Sequence, residues 1–432
     1  MNKTGNRLKH IYASEFFKHS AALLSSNVLA QIIVFAVYPI ITRLYAPKIF
    51  GEFNLFLCIV GILAFFTTGR YEAAIVLPKQ EKKAVALFHL SLLLTLFCFI
   101  FFFVIVHFFG KNIAALFHQE QLVSLLPYLP FYLLLWGFWH TLNYYFVRQK
   151  RYYNLSVYNI TQSSVSSGMK CFLGFKGCSV FGLVWGQLLG QFFATTVSLI
   201  SGRSYLKHLK QWDKQEIIAV AKTYSNFPKF QLPHNLLNAF AGYLPVLLLS
   251  FYFEMGNIGL FSLALTIGLT PVNLFGDSVC QVLYKKMSEQ IQNKIAIRHQ
   301  CFLFCKMCLI FILPFFILLA FVPNEAFGFL FGEHWAGVGL YLKLLLPGLF
   351  LSILVASLSF LPNIFFKQKT AAQIEFIYVI LKAMSLLLGV YLQSFDLAIA
   401  FYCIVITFML AIKVVWYFRL INKYELLKEM KL

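Results

Sequence analysis

The chain has 432 residues, of which 60% are hydrophobic and 12% charged, with 50 phenylalanines and a formal net charge of +20. A soluble globular domain is roughly half apolar and about one quarter charged, so the composition excludes that class and indicates an integral membrane protein. The cations fall mainly between apolar segments, which matches anionic lipid headgroups and membrane topology and gives no sign of nucleic acid as a partner.

The first 18 residues are polar and basic, and the apolar run after them has no small-x-small cleavage site. It is expected to be a first spanning helix, with no removable signal peptide. At about 20 apolar residues per span, twelve spans are predicted: 20–41, 53–77, 85–109, 127–147, 155–174, 179–200, 232–253, 258–281, 301–322, 342–361, 374–392 and 397–418. The fifth is the weakest, being rich in Ser, Asn and Gln, and such a segment needs neighbours or water over its polar face.

Of the 36 Lys and Arg, 26 lie in the termini and loops of one side and 4 on the other. The excess places both termini in the cytoplasm, and the inner (cytoplasmic) membrane of a bacterium is the expected location. The longest loop, 201–231, is too short for a soluble catalytic domain. No catalytic residue, cofactor or metal site is expected, and the chain is read as no enzyme. Cys301, Cys305 and Cys308 have the spacing of a radical-SAM cluster site, but CFLFCKMC lies in an apolar segment and reads as one buried helix face.

The halves echo each other. Gly51-x-Phe53-x-Leu55 reappears as Gly259-x-Phe261-x-Leu263, LF…LLPxL occurs at 116–129 and 330–349, and Lys82–Lys83 is matched by Lys285–Lys286. The order is kept at a nearly constant offset. The expected fold is all-α, with two parallel six-helix bundles spanning 1–212 and 213–432.

Six bases remain inside or at the ends of the apolar stretches: Arg70, Lys170, Lys306, Lys343, Lys382 and Lys413. Each costs about 2.5–3.5 kcal/mol at the centre of a lone inserted helix, so a shared polar interior is expected, and a positive interior suits an anionic passenger. Lys382, near the middle of the eleventh span, is the leading candidate. Lys170 and Lys343 read equally as cavity cations or as chains snorkelling outward. Snorkelling is the favoured reading for Lys306 and Lys413, both near span ends. Arg70 and Glu72 are i, i+2 in a helix expected to continue through AAIVLP, so direct neutralisation is not expected.

Uncharged polar residues also cluster: Asn27 and Gln31, Asn235 and Asn238, Gln162, and Gln187. They suit either sugar hydroxyls or interhelical hydrogen bonds. Asp277 and Glu375 are acids at membrane depth, able to carry a coupling H+ or Na+ or to pair with a lysine. His140 reads as structural. Prolines 39, 245, 271, 314 and 347 are candidates for helix bends.

Several stretches resemble the Wzx-type oligosaccharide flippases of bacterial polysaccharide synthesis (O-antigen or capsule repeat units), within the multidrug/oligosaccharidyl-lipid/polysaccharide exporter superfamily. They are TRLYAPKIFGEF (42–53), RYEAAIVLPK (70–79), FPKFQLPHNLLNAFAGYLP (227–245), IGLFSLALTIGLTPVNLFGDSVCQVLYKKMSE (258–289) and EHWAGVGLYLKLLLPGLF (333–350). The resemblance implies two six-helix bundles forming a V around a cationic central cavity. It also implies an undecaprenyl-pyrophosphate-linked oligosaccharide as substrate, with the polysaccharide polymerase and glycosyltransferases of the same pathway as partners. A drug or cation antiporter of the same superfamily is the nearest rival, but six bases against two acids at depth argue for an anionic load. A polytopic polysaccharide polymerase or acyltransferase fits the short outer loops poorly.

Overall fold

The computed structural model describes residues 26–117, 119–206, 209, 212–292, 297–365 and 367–429, and these are almost entirely helical. Helix is the expected outcome, because backbone in hydrocarbon must satisfy its hydrogen bonds internally. The chain divides into two compact units, Met1–Leu247 and Leu248–Leu432.

In the first unit the helices are α1 (Ser26–Leu44), α2 (Pro47–Leu63), α3 (Glu81–Leu116), α4 (Glu120–Leu125), α5 (Leu129–Arg148), α6 (Tyr152–Phe175), α7 (Val180–Gly202) and α8 (Lys214–Thr223). The unit also takes in most of α9 (Leu232–Ser250). The second unit follows with α10 (Met255–Gln292), α11 (Arg298–Met307), α12 (Leu313–Phe321), α13 (Asn324–Phe331), α14 (Val338–Ser357), α15 (Leu361–Ile364), α16 (Gln368–Tyr391) and α17 (Phe395–Glu429).

Ten helices among the described residues are long and apolar enough to cross a membrane. The two expected spans outside that set are α6, whose polar face lowers its hydropathy, and α10, which is apolar over Met255–Thr270. The outer surfaces carry large exposed apolar side chains such as Phe97, Phe108, Phe321 and Phe329, as lipid contact requires.

α6 packs along α7, α3 along α5, and α2 touches α7. Gly182, Gly186 and Gly190 recur every four residues on α7. A Cβ at Gly190 would come within 2.6 Å of Ser166 Cβ, so the backbones meet as small-xxx-small interfaces allow. In the second unit α14 lies against α10 and α17, and α16 against α17. A Cβ at Gly389 would fall 2.2 Å from the Ala398 Cα, so α16 and α17 close onto each other beside their turn.

The second span departs from expectation. In place of a continuous helix through residue 77, α2 ends at Leu63 and a tight 3-10 turn follows. Gly69 and Arg70 then both take positive φ (57° and 65°), and a second 3-10 segment, Tyr71–Val76, completes the passage. Irregular backbone at membrane depth survives only where protein covers it. Here Cys98 on α3 donates to the Phe66 carbonyl, and Arg148 at the end of α5 donates to the Ile75 and Pro78 carbonyls at 3.2 and 2.6 Å.

One π-helical turn precedes Pro314 at Cys308–Ile312, and another holds Pro228 at Phe227–Gln231. Such widened turns make room for a proline ring within a helix. Pro245 and Pro347 lie inside α9 and α14. Cys301, Cys305 and Cys308 are buried with Met287, Phe304, Leu354 and Tyr417 in an apolar cluster, the helix-face role read from the sequence.

α8 is a short amphipathic helix capped by Asp213, whose carboxylate accepts from the Gln215 and Glu216 amides at 3.0 and 3.1 Å. Ile217 and Val220 bury against α3, and the Tyr71 hydroxyl donates to the Ala221 carbonyl at 2.9 Å.

Candidate functional site

In the first unit, Lys170 lies in the C-terminal third of α6, half-buried against α7. Its ammonium donates to Gln187 Oε1 at 2.7 Å and stands 5.2 Å from the centre of the Phe53 ring. Ser166 Oγ donates to the same Gln187 oxygen at 3.1 Å, and the Tyr45 hydroxyl donates to the Lys170 carbonyl at 2.8 Å. Gly186 makes this possible, since a Cβ there would lie 2.5 Å from Lys170 Cγ. The group is a single cation held by neutral partners and one aromatic face, so its charge is not cancelled locally.

The second unit carries a denser group on α16 and α17. The Tyr378 ring is buried, with the Lys382 ammonium 4.2 Å from its centre and the Lys413 ammonium 4.6 Å away. Glu375 forms an ion pair with Lys413. Glu375, Tyr378 and Lys382 fall at i, i+3 and i+7, one face of α16, and Lys413 meets that face from α17. Two ammonium groups and one carboxylate leave the group with net positive charge.

Lys413 therefore does not snorkel, contrary to expectation: it is 9% exposed and turned inward onto Glu375 and Tyr378. Its carboxylate partner sits 38 residues away on another helix, so the pairing escapes a reading of span ends. For Glu375, the structure realises the lysine-paired alternative. Lys306 is exposed on α11, and Lys343 is half-buried on α14 with its ammonium donating to Asn324 Oδ1 at 3.0 Å.

Arg70 also differs from expectation. Its guanidinium pairs directly with Glu72 at 3.0 Å, because the left-handed turn at Arg70 folds the two side chains together where a continuous helix would part them. Glu72 is fully buried and also accepts from the Thr68 hydroxyl. Glu52 is a further buried carboxylate in α2. Acids at depth thus outnumber the two weighed against the six bases, although Glu72 has its charge met by Arg70.

The polar pairs are dispersed. Asn27 Oδ1 accepts from Asn159 at 2.6 Å, joining α1 to α6, while Asn238 bonds His234 one turn away on α9 at 3.2 Å. Gln31, Gln162 and Asn235 are half-buried, and only Gln187 joins a lysine. His140 bonds the Trp136 carbonyl and stacks on its ring, a structural arrangement. Asp277 lies on α10, but its side chain is outside the described residues. Among the described residues, no group of three or more His, Cys, Asp or Glu is placed to hold a metal ion.

The residues that sequence reasoning misses are neutral ones: Tyr45, Phe53 and Tyr378, which lie against the lysines, and Asn159, which ties α6 to Asn27 on α1. Tyr378 has a usable signal, an aromatic residue four positions before an intramembrane lysine. The glycine stripe of α7 has another, in its spacing of four.

A family described as polysaccharide biosynthesis protein matches residues 40–339, well over half the chain. The chain belongs to that family. This agrees with the resemblance to Wzx-type flippases, and no curated protein matches it closely enough to add to this. Among solved structures it is similar to the lipid II flippase MurJ in an inward closed conformation, with TM-score 0.65 and 16% identity over 95% of this chain and 91% of that one. It is also similar to an inward-facing multidrug resistance MATE family transporter of the MOP superfamily, with TM-score 0.62 and 13% identity over 94% and 98%. A mutant of the Vibrio cholerae MATE transporter VcmN gives TM-score 0.55 and 14% identity over 95% and 97%. At these identities the likeness establishes the fold: this polysaccharide biosynthesis protein is a multi-pass membrane protein built like the MOP transporters.

Proposed function

We propose that this family member is a flippase. Its load is an oligosaccharide linked to undecaprenyl pyrophosphate, moved from the cytoplasmic to the periplasmic leaflet of the inner membrane by alternating access, with H+ or Na+ as coupling ion. The observation that carries the reading is the incompletely neutralised lysine group at Tyr378. A buried and a half-buried ammonium left with net positive charge within an apolar helix pair are costly to maintain, and an anionic load gives them a use. Lys170, beside Gln187 and Ser166 in the first unit, supplies a second cation with sugar-compatible neighbours.

The physical need is plain. A polyprenyl tail is at home in hydrocarbon, whereas an unshielded pyrophosphate faces a barrier of tens of kcal/mol by Born estimates. Lysine offers a point charge on a flexible stem that can follow a moving phosphate, and it lacks the bidentate grip of arginine that would slow release. The glycosyltransferases that build the load and the polymerase that consumes it are the expected pathway partners.

The test is Lys382→Ala in a strain displaying the native surface glycan. Display should be lost while expression and membrane insertion persist. Full display from that variant would end the reading for this residue.

A further inference from the structure

We propose that Glu375 is a resident counter-ion displaced by the diphosphate of the load, so that Lys382 and Lys413 together grip the headgroup. The inference rests on the flippase reading above and goes beyond it by assigning Glu375 a competitive role and Lys413 a direct one.

Three observations converge. The first is an asymmetry of burial: the Lys413 side chain is 11% exposed and that of Glu375 is 46% exposed. The cation is enclosed and the carboxylate is the half of the pair with room to leave. The second is the shared ring, with both ammonium groups within 4.6 Å of the Tyr378 centre. Two cations against one buried aromatic ring repel each other, and a single carboxylate removes only half of that charge. An anion bearing two or more negative charges completes the neutralisation. The third is that Glu375 bonds Lys413, while the Lys382 ammonium lies 4.2 Å from the centre of the same ring. One ammonium is held in reserve and the other is open to an incoming oxygen.

Exchange also explains how the site can hold a diphosphate and still release it. A buried ammonium left without any anion is strongly disfavoured. Glu375 therefore departs only as the headgroup arrives and returns as it leaves. The carboxylate and the diphosphate compete, so removing Glu375 strengthens binding of the load, and the coupling is reciprocal.

The experiment uses the full chain in nanodiscs, with farnesyl diphosphate and inorganic pyrophosphate as separate probes in equilibrium binding. Glu375→Gln should tighten farnesyl diphosphate binding about tenfold, a typical coupling magnitude, and slow glycan display because the load is retained. Lys413→Met should weaken binding as Lys382→Met does, and Lys413→Arg should preserve it. If Glu375→Gln lowers yield, Glu375→Asp provides the second variant: its shorter reach to Lys413 must tighten binding in the same direction. Farnesyl diphosphate responding where inorganic pyrophosphate does not assigns the site to a lipid headgroup, and the reverse overturns that assignment. Unchanged affinity in Glu375→Gln, with loss in Lys382→Met, overturns the counter-ion inference and leaves the flippase reading standing. Unchanged affinity in both Lys382→Met and Lys170→Met removes the flippase reading itself.

Discussion

Gly186 on α7 lies against Lys170 on α6 so closely that a β-carbon there would stand 2.9 Å from the lysine's backbone nitrogen. The lysine's position thus depends on the absence of a side chain on its neighbour. Gly186→Leu is expected to pry α6 from α7. Overpacking of this kind costs about 1–3 kcal/mol in soluble cores. The checks are the thermal midpoint of the purified protein, which should fall, and glycan display, which should fall with it. Gly168→Ala on α6 is the control, since nothing lies within 4 Å of a β-carbon at that position; it should leave both readings unchanged.

The buried pair Arg70–Glu72 predicts non-additivity. Removing one member leaves an uncompensated charge, which in soluble proteins costs about 3–5 kcal/mol, whereas removing both does not. Arg70→Gln and Glu72→Gln should each lower the thermal midpoint more than the double variant does. Additive losses would show that the two groups do not depend on each other.

What is legible in the sequence follows from the range of each interaction. Span positions rest on the number of apolar residues needed to cross hydrocarbon, a local property, and ten of the twelve predicted spans overlap helices long and apolar enough to cross among the described residues. The weak fifth span appears as α6, with its polar face turned to Gln187 and Asn27. The break after Leu63 is hidden because FFTTGRYEAAIVL contains no proline, and hydropathy does not register a pair of positive φ angles. Lys413 is misread because burial depends on a partner in another helix, while position along a helix only sets how far a side chain would have to reach. Lys382 is legible in mid-helix, with Tyr378 and Glu375 before it on the same face of α16, but the Lys413 that joins them comes from α17 and belongs to tertiary structure.

The contrast between Lys413 and Lys306 gives a third prediction. Both lie near span ends, but Lys413 is buried in an ion pair and Lys306 is exposed. Lys413→Ala strands Glu375 and empties space beside Tyr378, and should lower both thermal stability and display. Lys306→Ala should leave stability unchanged. Equal behaviour of the two variants would show that burial at Lys413 has no energetic consequence.

The basic loops predict orientation. Reporter fusions after residues 80, 150, 215, 292, 368 and 432 should all read cytoplasmic, because 26 of the 36 Lys and Arg lie in the segments assigned to that side. One periplasmic reading among the six would break the twelve-span map at an identifiable helix.

The docking of α8 carries the pH dependence. Lys82 pairs with Asp213 at 2.9 Å, and this hydrogen bond, followed by that of the Glu216 amide, holds the Asp213 carboxyl below the usual carboxylate range. A carboxyl whose folded value is depressed contributes its stabilisation above the unfolded value, about 3.9 for Asp, and loses it as pH falls through the folded value. Protection of the α8 amides, taken against the intrinsic exchange rate at each pH, should therefore be steady from neutral pH down to about pH 4, then fall on further acidification. The pair is solvent-exposed, so raising salt at pH 7 should also quicken exchange. Asp213→Asn retains a capping oxygen but loses the charge. It should abolish the salt response while keeping much of the protection of the Gln215 and Glu216 amides, whereas Asp213→Ala should lose both. A salt response that survives in Asp213→Asn would shift the electrostatic contact to Glu216, which lies 3.6 Å from Lys82.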